Sequence, residues 1–239
     1  MGSLCNDCVR RSRPARSQRM RNRWASQRSP FTLAIIVVNV AIFLWLSVGA
    51  VMPELDGIVN RREFDLALSK VFIDDGQWWR LVTSGFLHFG AFHIGMNMLL
   101  LWQLGSILEP ALDRGRFVLL YLASLMGGAA GALLVTPDAL TGGASGAVFG
   151  LMAAATVAFQ QRGVNPFRIG IGTILVLNLV ITFTVPGISV GGHVGGALMG
   201  GACGWAMLEP RWMKREEWAG WVAPLAGIAV ALFLVYVVA

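Results

Sequence analysis

Apolar residues along the chain collect into seven runs, near 31–52, 92–108, 117–135, 145–160, 169–186, 192–208 and 220–239, with polar or charged segments between them. Each is close to the roughly 17–25 residues a helix needs to cross a bilayer. The pattern therefore predicts an all-α, polytopic membrane bundle of seven transmembrane helices. The first run is long, lacks a clean small-residue cleavage site and is followed by six more, so it reads as a retained helix and not a signal peptide. Composition agrees: 56% hydrophobic and 13% charged residues, with a mean hydropathy of +0.64, do not suit an ordinary soluble domain.

Charge gives the orientation. Residues 1–29 carry Arg10, Arg11, Arg13, Arg16, Arg19, Arg21, Arg23 and Arg28 against one acid, Asp7, which predicts a cytoplasmic amino terminus. The loops then placed on the same side hold Arg114 and Arg116, Arg162 and Arg168, and Arg211, Lys214 and Arg215, whereas the loop around Ser189 is uncharged. Seven spans put the carboxyl terminus outside. The net charge of +6 comes largely from the amino-terminal tail and reads as a topology signal beside anionic lipid, with no nucleic-acid partner implied. Cys203 lies in a span, and Cys5 and Cys8 form a lone C-x-x-C. Half a zinc site without histidines nearby implies no metal, and no cofactor is expected.

Two features describe organisation. The first connecting segment, about 53–91, is the longest and carries Trp78, Trp79, Arg61, Arg62 and several acids, so it is expected to hold structure of its own; the tryptophan pair suits a membrane–water interface. Glycines recur at four-residue spacing as Gly127 and Gly131, Gly146 and Gly150, and Gly192, Gly196, Gly200 and Gly204. Such ridges let helix backbones approach closely in lipid, which predicts tight packing of the third, fourth and sixth spans.

Four polar groups at membrane depth stand out: His93, Asn97, Ser145 and His193. Polar groups there are costly and are functional candidates by default. Ser145 opens the fourth span within Gly142-Gly143-Ala144-Ser145-Gly146, and His193 opens the sixth within Gly191-Gly192-His193. Counting to the first charge on the cytoplasmic side gives 17 positions from Ser145 to Arg162, 16 from His193 to Glu209 and 16 from His93 to Glu109. At about 1.5 Å per residue the three groups lie roughly 24–26 Å from that charge level, a few ångströms below the outer surface of a core about 30 Å thick. The second, fourth and sixth spans all run inward, so their amino ends meet, and non-helical backbone at Gly142–Gly143 implies a buried or water-filled setting.

The chemistry follows from the residue types. A serine hydroxyl becomes nucleophilic when a base takes its proton, and His193 supplies that base. The glycine ridges would bring the two helices close enough for a hydrogen bond of about 2.6–3.2 Å between the side chains. No Asp or Glu lies in either span, which predicts a dyad. Free amides at the start of the fourth span, including that of Ser145, together with His93 and Asn97 one turn apart, are candidate oxyanion donors.

Trp79-Arg80, His88, His93-x-x-x-Asn97, Glu109, Gly143-Ala144-Ser145-Gly146 and His193 followed by Gly196 and Gly200 together closely resemble the rhomboid family over about 31–208. The resemblance implies an intramembrane serine endopeptidase with Ser145 as nucleophile, His193 as base, and His93, Asn97 and the Ser145 amide as oxyanion site. It implies substrates with a single transmembrane helix, entering laterally near the fifth span and cut near a small residue where the helix unwinds. It further implies a bacterial plasma membrane setting and a six-helix core with an added seventh. The chain then divides into a basic tail (1–30), a catalytic core (31–208), and a linker with the seventh helix (209–239). The Cys5–Cys8 pair resembles the stub of a zinc-ribbon extension carried by some bacterial members. One departure is Phe149, where the family often has a tyrosine packed on the catalytic histidine: the ring remains and the hydroxyl is lost.

Blander readings stand beside these. Ser145 alone is a helix amino-cap candidate; His93 and Asn97 alone are interhelical hydrogen bonders; His88 is equally structural or water-holding. Trp79, Arg80 and Glu109 read as scaffold, and Asn39 and Asn178 as packing residues. A catalytically inert relative that binds membrane proteins, or a small transporter, are the competing functions, although relatives of the first kind typically lack the serine or histidine and no internal repeat supports the second. The absence of H-E-x-x-H argues against a metalloprotease.

Overall fold

A computed structural model describes residues 29–48, 61–208 and 218–238. The arginine-rich tail, Cys5 and Cys8, Glu209, and the 211–215 cations lie outside the described residues. The elements are α1 (Pro30–Ser47), α2 (Arg61–Leu66), α3 (Lys70–Asp74), α4 (Arg80–Thr83), a 3-10 turn (Ser84–Phe86), α5 (Ala91–Leu112), α6 (Arg114–Val135), α7 (Ser145–Gln161), α8 (Ile171–Thr184), α9 (Val190–Met207) and α10 (Ala219–Val238). Among the described residues there is no strand, only a bridge between Leu68 and Thr141. Each apolar run of the sequence is a helix. Four of them, α1, α5, α6 and α10, are long and apolar enough to cross a membrane.

Boundaries are set by local chemistry. The α5–α6 junction is a single residue, Asp113, whose φ of 73° breaks the helix. Its carboxylate then caps α6 by accepting from the Arg116 amide (3.1 Å) and the Arg116 Nε (2.6 Å). Partial burial works against ionisation of Asp113, but the bonds and charge from Arg116 outweigh it and hold the carboxyl below its ordinary range. At the start of α1 the position before the helix, Ser29, makes no side-chain cap. Glu109 of α5 does that work from a neighbouring helix, accepting from the Phe31 amide (3.1 Å), the Thr32 amide (2.8 Å) and the Thr32 hydroxyl (2.7 Å). A carboxylate on free first-turn amides satisfies donors that the helix itself leaves unpaired. The scaffold reading of Glu109 thus takes a definite form: it pins α1 to α5.

The first connecting segment is structured. Arg80, buried at 5% exposure, donates to Gln77 Oε1 and to the Phe64 and Ala67 carbonyls, each at 2.7 Å, and lies 3.9 Å over the Phe72 ring. Leu68 and Thr141 exchange backbone bonds of 2.8 Å, and Lys70 donates to Pro137 O, so the segment is tied to the loop that precedes α7. Trp79 is exposed, and Trp78 packs against Leu68 and its neighbours.

At the centre, α9 lies against both α6 and α7. The glycine series explains how. On one face of α9, Gly191 and Gly195 meet the backbone of Gly131 and Gly127 in α6; on another, Gly196 and Gly200 meet Gly146 and Gly150 in α7, with Gly204 against Ala154. A Cβ at Gly200 would overlap the Gly150 backbone, which has no rotamer to yield. Because lipid gives helices no hydrophobic drive toward one another, this close packing is what holds the core. Outward faces stay apolar, as with Val176, Leu177, Val180 and Phe183 on α8.

Gly200→Val should therefore destabilise the fold by at least the roughly 1–3 kcal/mol typical of overpacking, read as a fall in melting temperature in detergent. Gly95→Ala, where an added Cβ meets nothing within 4 Å, should leave that temperature unchanged.

Candidate active site

The loop before α7 carries the first half of the site. Gly143 has φ +134°, a conformation that side-chain-bearing residues rarely adopt, and a Cβ there would lie 2.9 Å from His93 Cε1, 3.0 Å from His93 Nε2 and 3.5 Å from Ser145 Oγ. The missing side chain is what lets the His93 ring and the Ser145 hydroxyl flank one backbone position. Three contacts hold this loop: the Gly143 amide donates to Ser84 O (2.8 Å), Gly142 rests on Leu87, and the Ala144 amide donates to His88 Nε2 at 3.5 Å. His88 is 1% exposed and its Nδ1 lies 3.3 Å from Phe86 O. A carbonyl only accepts, so Nδ1 carries the proton and Nε2 is left free to receive the Ala144 amide. His88 thus links the serine loop to the turn before α5.

Ser145 is the first residue of α7, and the cap position is Ala144. Its side chain therefore performs no capping, unlike Ser189, which caps α9 by accepting from the Gly192 amide at 3.1 Å. Val148 donates to Ala144 O, closing the first turn, and the amides of Ser145, Gly146 and Ala147 precede any intrahelical bond. They point outward from the helix end at the level of the serine.

His193 stands in the first turn of α9. The Gly146–Gly192–Gly196 contacts bring the start of α9 level with the start of α7, and Phe149, one turn after Ser145, stacks on the His193 ring with centroids 4.1 Å apart and planes 18° apart. Stacking at the Phe149 position is thus retained without a hydroxyl. His193, Ser145 and His93 are each half-buried in a region whose neighbours, Ala144, Gly146 and Gly192, are buried. These three side chains retain access to solvent-sized molecules while the backbone around them does not.

Two observations differ from the sequence reading. Among the described residues Ser145 Oγ makes no hydrogen bond, so its bond to His193 is not formed in this state. And Asn97, buried at 5% exposure, turns its Nδ2 back to the His93 carbonyl (3.0 Å), which commits one of its two donor protons to its own helix. His93 meets the serine loop directly; Asn97 underlies it one turn below. Asn178 is half-buried and bonds back to Ile174 O at 2.8 Å, and Asn39 likewise to Ile35 O at 2.8 Å from a fully buried position. No cluster of three or more metal-ligating side chains occurs among the described residues, and Cys203 is a free, buried thiol.

One contact was not foreseen: Thr182 Oγ1 of α8 lies 2.7 Å from His193 Nδ1. A threonine in an apolar run ordinarily bonds its own helix, so the residue type carries no signal by itself.

Comparison with known proteins bears on the whole arrangement. Residues 75–210 match the family model described as the Rhomboid domain. The chain is 34% identical over 174 residues to rhomboid protease GluP of Bacillus subtilis, covering 72% of this chain and 33% of that protein. It is 30% identical over 184 residues to rhomboid protease GlpG of Yersinia enterocolitica and to that of Yersinia pestis, covering 73% of this chain and 62% of each. The chain thus spans about a third of the first relative and less than two thirds of the others.

Gly143→Ala places a methyl against the His93 ring at a strained φ. Phosphonylation of Ser145 by a fluorophosphonate probe should slow on the order of 100-fold, the scale of a misplacement of about 1 Å, with the helical content by circular dichroism unchanged.

Proposed function

The chain belongs to the rhomboid family, and from that premise we propose that it is an intramembrane serine endopeptidase that cuts transmembrane segments near the outer membrane face. It is a multi-pass integral membrane protein. The observation that carries the proposal is the meeting of two helix amino ends, with Phe149 of the serine helix stacked on His193 of its neighbour.

In this reading His193 Nε2 takes the proton from Ser145 Oγ as the oxygen attacks the scissile carbonyl. The tetrahedral oxyanion is received by the Ser145 amide, with His93 and Asn97 as side-chain donors, and the positive end of α7 favours the developing charge. His193 then protonates the departing amine, leaving an ester on Ser145. Water enters, gives a proton to His193 and attacks that ester, and the carboxylic product leaves as Ser145 recovers its hydrogen. Half-burial of Ser145 and His193 supports access for that water. His88, Gly143 and Phe149 hold the loop, the nucleophile and the base in register, while Arg80, Trp79 and Glu109 fix the surrounding scaffold.

The proposal extends to topology. Each of the seven apolar helices crosses the bilayer, the shorter α8 included, the amino terminus is cytoplasmic and the carboxyl terminus outside, in a bacterial plasma membrane. The tail (1–30), catalytic core (31–208) and linker with seventh helix (209–239) are separate units of function, and single-span proteins enter beside α8. The exposed apolar face of α8 supports an entry route through lipid.

Purified protein in liposomes with a single-span reporter tests this. Wild type is expected to cleave, and Ser145→Ala and His193→Ala to lose activity on the order of 1,000-fold or more, as when one member of such a unit is removed. Cleavage by Ser145→Ala at the wild-type rate would contradict the mechanism.

A further inference from the structure

Helix α8 is apolar and largely turned outward: of its 14 residues only Gly172 and Thr182 are buried. Gly172 has no side chain, so Thr182, at 2% exposure, is the one fully buried side chain of α8, beside the partly buried Ile171, Leu175 and Leu179 that pack on the core. Thr182 Oγ1 lies 2.7 Å from His193 Nδ1 and 2.8 Å from the Asn178 carbonyl of its own helix.

Those two distances decide where the protons are. A hydroxyl has one proton, and a carbonyl oxygen can only accept. The 2.8 Å contact with Asn178 O therefore takes the Thr182 proton. Oγ1 then presents lone pairs to His193, and at 2.7 Å a bare Nδ1 would set lone pair against lone pair. The contact is favourable only if Nδ1 carries hydrogen. A neutral imidazole has one, so Nε2 is left as the acceptor. Phe149 stacked at 4.1 Å fixes the plane of the same ring. Ring plane and tautomer are thus set by separate residues, one on α7 and one on α8.

We propose that Thr182 is a positioning residue for the reaction: by accepting from Nδ1–H it holds His193 in the tautomer whose Nε2 can take the Ser145 proton. This rests on His193 being the base, as proposed above. In serine–histidine sites with an acid, the carboxylate performs this orienting task; here a hydroxyl, itself anchored by the backbone of α8, takes its place. The uncharged group orients the imidazole without stabilising the imidazolium by a full charge.

The test uses the full-length protein in liposomes, with Thr182→Val, which keeps the shape and removes the hydroxyl, and Thr182→Ser, which restores it. Thr182→Val should lower kcat roughly 10- to 100-fold, the range typical of removing a group that orients a functional imidazole, with KM little changed, and Thr182→Ser should stay within a few-fold of wild type. A rise in KM at unchanged kcat would assign Thr182 to substrate entry and overturn the proposal. So would wild-type kcat in Thr182→Val. The second readout needs no turnover. The chain has only three histidines, so nitrogen-15 spectra of histidine-labelled protein, with His193→Gln for assignment, report the tautomer directly. Wild type and Thr182→Ser should show His193 protonated at Nδ1, and Thr182→Val a redistribution toward Nε2–H. Wild type already protonated at Nε2 would overturn the proposal even if Ser145→Ala abolishes cleavage. Conversely, if Ser145→Ala cleaves normally while the tautomer shifts as described, the serine mechanism fails and the Thr182–His193 contact stands.

Discussion

Everything in the site depends on the backbones of α6, α7 and α9 touching. Gly146 and Gly150 admit Gly196 and Gly200 so closely that an added methyl would strike main-chain atoms, and Gly127 and Gly131 do the same on the opposite side with Gly195 and Gly191. In water such a seam would be a weak place, poor in buried area. In lipid, where apolar side chains gain nothing by leaving one apolar setting for another, close dispersion contact and satisfied backbone are what remain to drive association. The seam also has a register. Once Gly146 lies against Gly192 and Gly196, the starts of two helices are level, and the residues beside those glycines, Ser145 and His193, are brought to one depth without any contact between their own functional groups.

Around this seam the polar groups are arranged in two tiers. Outer contacts are strong and local: Glu109 on the free amides of α1, Arg80 on three oxygens of the first segment, Asp113 on the start of α6. They fix the scaffold and give the buried charges of Arg80 and Glu109 hydrogen-bond partners. The inner contacts are longer or carry a single bond: the Ala144 amide on His88, the Asn97 amide on its own helix, Thr182 on His193. They set orientation and proton position, leaving Ser145 without a hydrogen bond of its own among the described residues.

Much of this was legible in the amino-acid order. Seven apolar runs became helices because long apolar stretches in lipid have few other ways to satisfy their backbone, and the four-residue glycine spacing became the seam because small residues at i and i+4 share a helix face. Gly143 beside Ser145, and His93, were readable from motif and spacing, whereas Phe149 against His193 was legible only through the family resemblance. What could not be read depends on distances between separate helices. Whether Ser145 and His193 bond directly is a matter of tenths of an ångström, and the role of Thr182 arises from where α8 sits against α9, which no local pattern records. One helix end was also read imperfectly: α5 runs on past position 108 to Leu112 because Asp113 alone, by its left-handed φ, breaks it, while the end of the first run, 49–52, lies outside the described residues.

The central claim is that two helix ends held level by a glycine seam make one reactive site. It is tested most directly by an experimental structure of the protein after reaction with a fluorophosphonate. The account predicts a bond between Ser145 Oγ and phosphorus, His193 Nε2 turned toward that oxygen, and the phosphonyl oxygen received by the Ser145 amide beside His93. A phosphonate attached elsewhere, or one on Ser145 with its oxygen turned away from both the helix amides and His93, would contradict it.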